Sequence, residues 1–169
     1  MAFVVDTNVP MVASRLAPQA DEACVDACVQ RLFVIMGSGG LLVDEDGLIV
    51  NEYIKRVGLA GKPGAGKAFV KWAHDHQYTE SMCTRVSITR LDGDGWRLFE
   101  EFPTDDRLER FDRDDQKFVA VARASQNDHT VLNATDSDWW RFKEVLYENG
   151  VMVEFLCPEL FVGATRSGR

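Results

Sequence analysis

No window of this 169-residue chain approaches the run of about eighteen apolar residues that marks a membrane-spanning helix, so no membrane partner is expected. The N-terminus, Met1-Ala2-Phe3-Val4-Val5-Asp6, lacks both the basic flank and the small-residue cleavage site of a signal peptide, and a cytoplasmic location is expected. Cysteine is scarce, at four residues, and no Cys-x-x-Cys pair occurs. Cys24 and Cys28 share an apolar-periodic stretch while Cys83 and Cys157 lie far away, so the expectation is four reduced, mostly buried thiols rather than a zinc site or a disulfide. Basic excess is also missing. With 19 Lys and Arg against 27 Asp and Glu, the formal net charge is −8. That counts against a module that holds nucleic acid by phosphate contacts alone. It counts less against a metal enzyme, whose acids concentrate in one site and are neutralised there by divalent ions. It also suits a basic partner protein.

What is present is an ordinary globular composition, 46 % apolar and 27 % charged, with the length of one domain over residues 1–169. Phe3-Val4-Val5-Asp6 reads as a buried strand tipped by an acid. A helix is expected within residues 18–37, opened by Asp21 and Glu22 and stopped by Gly37-Ser38-Gly39-Gly40. Leu41-Leu42-Val43-Asp44 follows as a strand. Residues 47–57 then form a helix with an apolar stripe at Ile49, Val50, Tyr53, Ile54 and Val57, and residues 66–78 another. From about 84 to 102, alternation around Arg85–Arg90, the turn Asp92-Gly93-Asp94-Gly95 and the run Trp96–Phe99 predict either a β-hairpin or an extended excursion from the sheet. Helix 112–125, strand 130–135, helix 139–149 and strand 151–156 complete the order. Strands separated by helices predict an α/β fold: three layers, α/β/α, around a mostly parallel sheet.

In such sheets sites form beyond the carboxyl ends of the strands. Asp6 ends the first strand, and Asp136 and Asp138 follow the strand at 130–135, while Glu52 and Asp115 lie near the starts of helices able to reach the same rim. Carboxylates converging without basic partners repel one another unless cations sit among them, and hard oxygen ligands select Mg²⁺ or Mn²⁺. That chemistry suits phosphodiester hydrolysis by an activated water. Each acid has a structural alternative: Asp6 as an Asx turn or cap, Asp136 and Asp138 as caps of the following helix, Asp115 as a helix-start acid, Glu52 as an exposed helix acid.

The same residues carry a resemblance. Val4-Val5-Asp6-Thr7-Asn8 resembles the opening of PIN-domain proteins, Glu52-Tyr53 their second acid, Asp115 with Lys117-Phe118-Val119-Ala120 the third, and Thr135-Asp136-Ser137-Asp138-Trp139 the closing Asp-x-Asp-aromatic. The resemblance spans nearly the whole chain in the family's order. It implies a PIN-like, metal-dependent endoribonuclease in which Asp6, Glu52, Asp115 and Asp136 hold Mg²⁺ or Mn²⁺, Asp138 assists, and Asn8 or Thr7 orients Asp6. It further implies an RNA substrate cut to a 5′-phosphate and a 3′-hydroxyl, an antitoxin protein as inhibitor and a homodimer. The stretch from Tyr53 to Asp114 is longer than a compact toxin has, and the basic run Lys55, Arg56, Lys62, Lys67 and Lys71 offers phosphate contacts or simply a solvated face.

Other signals lead elsewhere. Gly61–Ala68 nearly spells a phosphate-binding loop, but Ala68 replaces its hydroxyl residue and no buried strand precedes it, so a turn between helices is expected. His74 and His76, two apart on a helix, point in different directions. Glu100-Glu101 and Asp105-Asp106 look like solvated charge, and one of Trp139 and Trp140 should enter the core. Two rivals remain. One is a non-catalytic binding module on the same fold. The other is a phosphatase with a nucleophilic Asp, weakened because Asn8 stands where its second Asp should be.

Overall fold

Two short apolar runs, Ala2–Val5 and Leu41–Asp44, are buried end to end, and a third, His129–Asn133, is buried from its second residue on, as strands covered on both faces must be. The computed structural model describes residues 1–126 and 128–162. Its strands are β1 (Ala2–Val5), β2 (Leu41–Asp44), β3 (Cys83–Val86), β4 (His129–Asn133) and β5 (Val153–Phe155). All pairings are parallel, in the order β3-β2-β1-β4-β5. The chain thus winds outward from β1 through β2 to β3, returns to β4 on the other side of β1, and ends at β5. The order reverses between β1 and β4, and their carboxyl ends border the crevice that such a reversal opens.

The helices are α1 (Asn8–Ala13), α2 (Glu22–Ser38), α3 (Leu48–Arg56), α4 (Ala65–His76), α5 (Gln116–Ala124), α6 (Ser137–Arg141), α7 (Lys143–Glu148) and α8 (Glu159–Val162). Helices α1, α2 and α4 pack on one another, while α5 lies against β1, β2 and β4, which gives the α/β/α layering. Where α1 meets α4, Gly66 is required: a Cβ there would fall 2.1 Å from the Pro10 carbonyl oxygen. The Gly61–Ala68 segment is the turn into α4 and its first residues, with Gly64 at the cap. Trp139 is fully buried, edge-on to Phe111 at 5.1 Å, whereas Trp140 stacks on Phe161 at the protein's margin.

Three expectations are revised. Helix α1 is not predicted from the sequence, since Pro10 falls inside it; at its third residue proline sits in the first turn, where no intrahelical N–H is needed. The 84–102 segment divides. Its start is β3, a parallel edge strand, and beyond it Thr89–Leu91 meets Leu98–Glu100 through a single antiparallel bridge, Arg90 with Phe99. Within that excursion Glu101 is not idle charge, because its carboxylate accepts from the Thr89 N–H at 2.9 Å.

The third revision concerns the cysteines. Cys24 and Cys157 form a disulfide across a sequence separation of 133, while Cys28 and Cys83 stay free and buried. The bond ties the segment after β5 to the first turn of α2. Sequence spacing could not show this pair, because only the completed fold brings the two together. Disulfides are rare in a reducing cytosol, so the expected cytoplasmic location loses the support that four thiols would have lent it. Closing so long a loop restricts the unfolded chain. Cys157→Ser is therefore expected to lower unfolding stability by about 2–5 kcal/mol in urea denaturation, with no loss beyond that seen on adding reductant to the parent protein.

Candidate metal centre

Asp6 follows β1 directly, and its own N–H still pairs with Leu132 of β4 at 3.0 Å. The sheet thereby fixes the residue, and its side chain is only 3 % exposed. One oxygen, Oδ1, accepts from the Asn8 N–H at 3.1 Å, while the buried Oδ2 has no partner. Asp136 follows β4 across the crevice and caps α6, accepting from the Asp138 N–H at 2.8 Å. Asp115 arrives from the other layer, on the turn that opens α5, and its Oδ2 is likewise buried without a partner. One carboxylate oxygen from each of Asp6, Asp115 and Asp136 lies within 4.8 Å of the others.

Three acids this close are mutually unfavourable as anions. Burial, opposed by the Asn8 N–H and reinforced by Asp136 and Glu52, pushes the Asp6 carboxyl up to about 7. Burial and the fields of Asp6, Asp136 and Asp112 push Asp115 higher still. Both carboxyls therefore resist losing their protons. A divalent cation would resolve the same conflict, and an all-oxygen donor set fits a hard ion such as Mg²⁺ or Mn²⁺.

Of the six residues the sequence nominated, three form this cluster, and the other three have different partners. Glu52, on α3, stands outside the trio. Its two oxygens receive the Thr7 hydroxyl and, at 2.8 Å, the Lys117 ammonium, yet its charge is still felt at Asp6. Asp138 Oδ2 accepts from the Asp112 N–H at 2.9 Å, so it braces the turn that presents Asp115. Burial raises its pKa, with that N–H opposing. Asn8 orients Asp6 through its backbone N–H, while its side-chain Oδ1 accepts from Ala134 N–H at 2.8 Å and fastens the loop carrying Asp136. Thr7 serves Glu52 rather than Asp6.

Four supports were not singled out from sequence. The Tyr53 hydroxyl donates to the Val5 carbonyl at 2.5 Å and pins α3 to the end of β1. Asp44 accepts from the Leu48 and Ile49 N–H groups, both at 2.8 Å, which sets the angle of α3. Gln116, fully buried beside Asp115, grips Leu98 N–H at 2.8 Å and the Trp96 carbonyl at 2.9 Å. Lys117 bridges Glu52 and the Asp114 carbonyl. Tyr53 and Lys117 had a sequence signal only as neighbours of candidate acids, and Asp44 only as the end of a strand.

A second cluster, Cys24, Cys28 and Cys157, also brings three donor atoms within 4.8 Å. Two of its sulfurs are consumed by the disulfide, and burial pushes the Cys28 thiol up to about 12, so the aspartates are the better cation site. His74 leans on Asp75, and His76 on the Trp72 carbonyl, so they form no metal pair.

Raised carboxyl pKa values mean that the folded state binds more protons than the unfolded chain. The stability this supplies is complete below about pH 4, the unfolded Asp value, and is lost as pH rises through 7 at Asp6 and beyond it at Asp115. A cation competes with those protons, so its benefit grows with pH. Thermal melts should therefore show a larger gain from Mn²⁺ at pH 8 than at pH 5, approaching about 2.7 kcal/mol at a hundredfold excess over Kd. Asp6→Asn should stabilise the metal-free protein at pH 8 and erase the gain; an undiminished gain would place the ion elsewhere. Compared with protein-family models, curated proteins and solved structures, the chain matches none, and its function is read from this geometry.

Proposed function

We propose that this chain is a divalent-metal-dependent endoribonuclease with a PIN-like arrangement of acids, hydrolysing RNA phosphodiester bonds by attack of water. One observation carries the reading: Asp6, Asp115 and Asp136 converge at the β1/β4 crevice with two buried carboxylate oxygens left without partners. Buried polar atoms in folded proteins are otherwise almost always satisfied. The PIN-like resemblance of the same residues in sequence supports the choice of RNA.

In this reading Asp6, Asp115 and Asp136 hold Mg²⁺ or Mn²⁺. When bound, such an ion supplies Lewis acidity to a phosphoryl oxygen and lowers the pKa of water. The chain's own residues do the positioning. Asn8 locks Asp6 and the Asp136 loop together, Asp138 steadies the turn of Asp115, and Thr7 with Lys117 holds the Glu52 carboxylate in place. Glu52 stands ready to accept a proton from the attacking water. Lys117 places a positive charge where the phosphate's negative charge increases.

Cleavage of labelled RNAs by purified protein, in Mn²⁺, Mg²⁺ or EDTA, tests the reading. Metal-dependent products with 5′-phosphate ends are expected. Asp6→Asn and Asp115→Asn should lower the rate by on the order of a hundredfold or more, since several kcal/mol of charge stabilisation is removed. Asn8→Ala, which disturbs only the support, should cost about tenfold to a hundredfold. Folded protein that binds Mn²⁺ yet cuts no RNA would instead favour a non-catalytic binding module.

A further inference from the structure

Beside the aspartates, an open cleft of about 320 Å³ runs between α3 and the excursion that follows β3. Five cationic side chains line it, Lys55, Arg56, Arg90, Arg113 and Lys117, against two acids, Glu52 and Asp114. That is a basic patch in a chain with eight more acids than bases. Lys117 is spoken for by Glu52, but among the described residues Lys55, Arg56, Arg90 and Arg113 make no salt bridge, and all four are exposed. The other members of the basic run behave differently. Lys67 donates to the Ala60 carbonyl at 2.5 Å and Lys71 pairs with Asp75 at 2.6 Å, and both line a separate depression.

The far wall of the cleft is built to keep its shape. Arg90 sits at the single bridge with Phe99, and its guanidinium lies 5.8 Å from that ring. Glu101 ties down Thr89, Gln116 ties down Leu98, and Arg97 donates to the Phe102 carbonyl at 2.7 Å. Four cations without acidic partners are thus held apart on two walls, with Leu98 and Phe99 offering apolar surface between them. Facing rows of such cations suit a single polyanionic backbone.

We infer that the excursion at 89–101 is a substrate-gripping wall: with Arg113 and the Lys55–Arg56 end of α3, Arg90 binds the backbone phosphates of a single nucleic-acid strand flanking the bond to be cut. This rests on the reading of the aspartates as the place of cutting, because Glu52 and Lys117 belong to both the cleft and that site's surroundings. It assigns a use to the long stretch between Glu52 and Asp115, and it explains how an acidic protein can take a polyanion.

Fluorescence anisotropy with labelled single-stranded oligonucleotides and metal-free Asp6→Asn protein separates binding from cutting. The double change Arg90→Ala with Arg113→Ala should raise Kd about tenfold. It should also flatten the dependence of log Kd on log salt by about 0.7 for each phosphate that is no longer neutralised. Arg90→Lys with Arg113→Lys should restore the slope, and Lys62→Ala should leave it unchanged. No binding by the parent, or a double variant with the parent's Kd and slope, would overturn the inference. Equal affinity for a duplex would overturn the single-strand assignment. Metal-dependent cutting that survives the double change would sink the wall and leave the nuclease standing. Salt-sensitive binding through these arginines without any cutting would keep the wall and sink the nuclease.

Discussion

Mutual repulsion among Asp6, Asp115 and Asp136 is the constraint around which the rest of the structure is arranged. Three carboxylates do not collect within 4.8 Å unless something stronger holds their backbones in place. Here the sheet does so. Asp6 is locked into the β1–β4 ladder, Asp136 leaves β4 through a capped turn, and Asp115 is delivered by a helix packed over both strands. The side chains around them add short ties rather than counter-charges: Asn8 to the Asp136 loop, Asp138 to the Asp115 turn, Tyr53 to the end of β1. None of these ties neutralises the trio. Lys117, whose charge is felt at Asp6, is directed at Glu52. The sheet therefore holds together a trio whose repulsion protons relieve at low pH and a divalent ion can relieve at higher pH.

The same separation of charge organises the surface. Were the cations of α3 and the excursion turned onto the aspartates, they would satisfy the trio and close it to a metal. They line the adjoining cleft instead, so the two signs of charge are gathered in neighbouring but separate places. A net charge of −8 conceals this division, because a sum over side chains has no spatial resolution.

Much of this was legible in the chain. Apolar runs that stop at Asp6 and at Asp136 are strand ends, and strand ends in a parallel sheet share a rim, so two members of the trio follow from pattern alone. Asp115 follows less directly, as an acid at the start of an inward-facing helix. Glu52 reads equally well as a fourth ligand, and its diversion to Thr7 and Lys117 depends on side-chain geometry that spacing does not encode. Asp138 shows the same limit: its position predicts an acid near the site, while its partner, the Asp112 N–H, comes from a distant turn. The disulfide, the parallel pairing of β3 and the grip of Gln116 on the excursion are long-range contacts. They exist only once the strand order is set.

Asp6 and Asp44 bring out why a strand-end acid becomes a site in one place and a cap in another. Both end apolar runs on adjacent parallel strands, and both are buried, at 3 % and 1 % exposure. What differs is the segment that follows. After Asp44 the chain turns through Gly47 at φ +80°, and α3 begins with its first N–H groups facing back, so both carboxylate oxygens of Asp44 are occupied at 2.8 Å. After Asp6 there is no such glycine. Helix α1 starts at Asn8, whose N–H reaches the Asp6 carboxylate at 3.1 Å while that of Val9 goes to the Asp6 carbonyl, and one carboxylate oxygen stays bare in the crevice where the strand order reverses. Asp44 spends its hydrogen-bonding capacity on aiming α3, and hence Glu52. Asp6 keeps part of its capacity free, and in a buried position free capacity is what a ligand site requires.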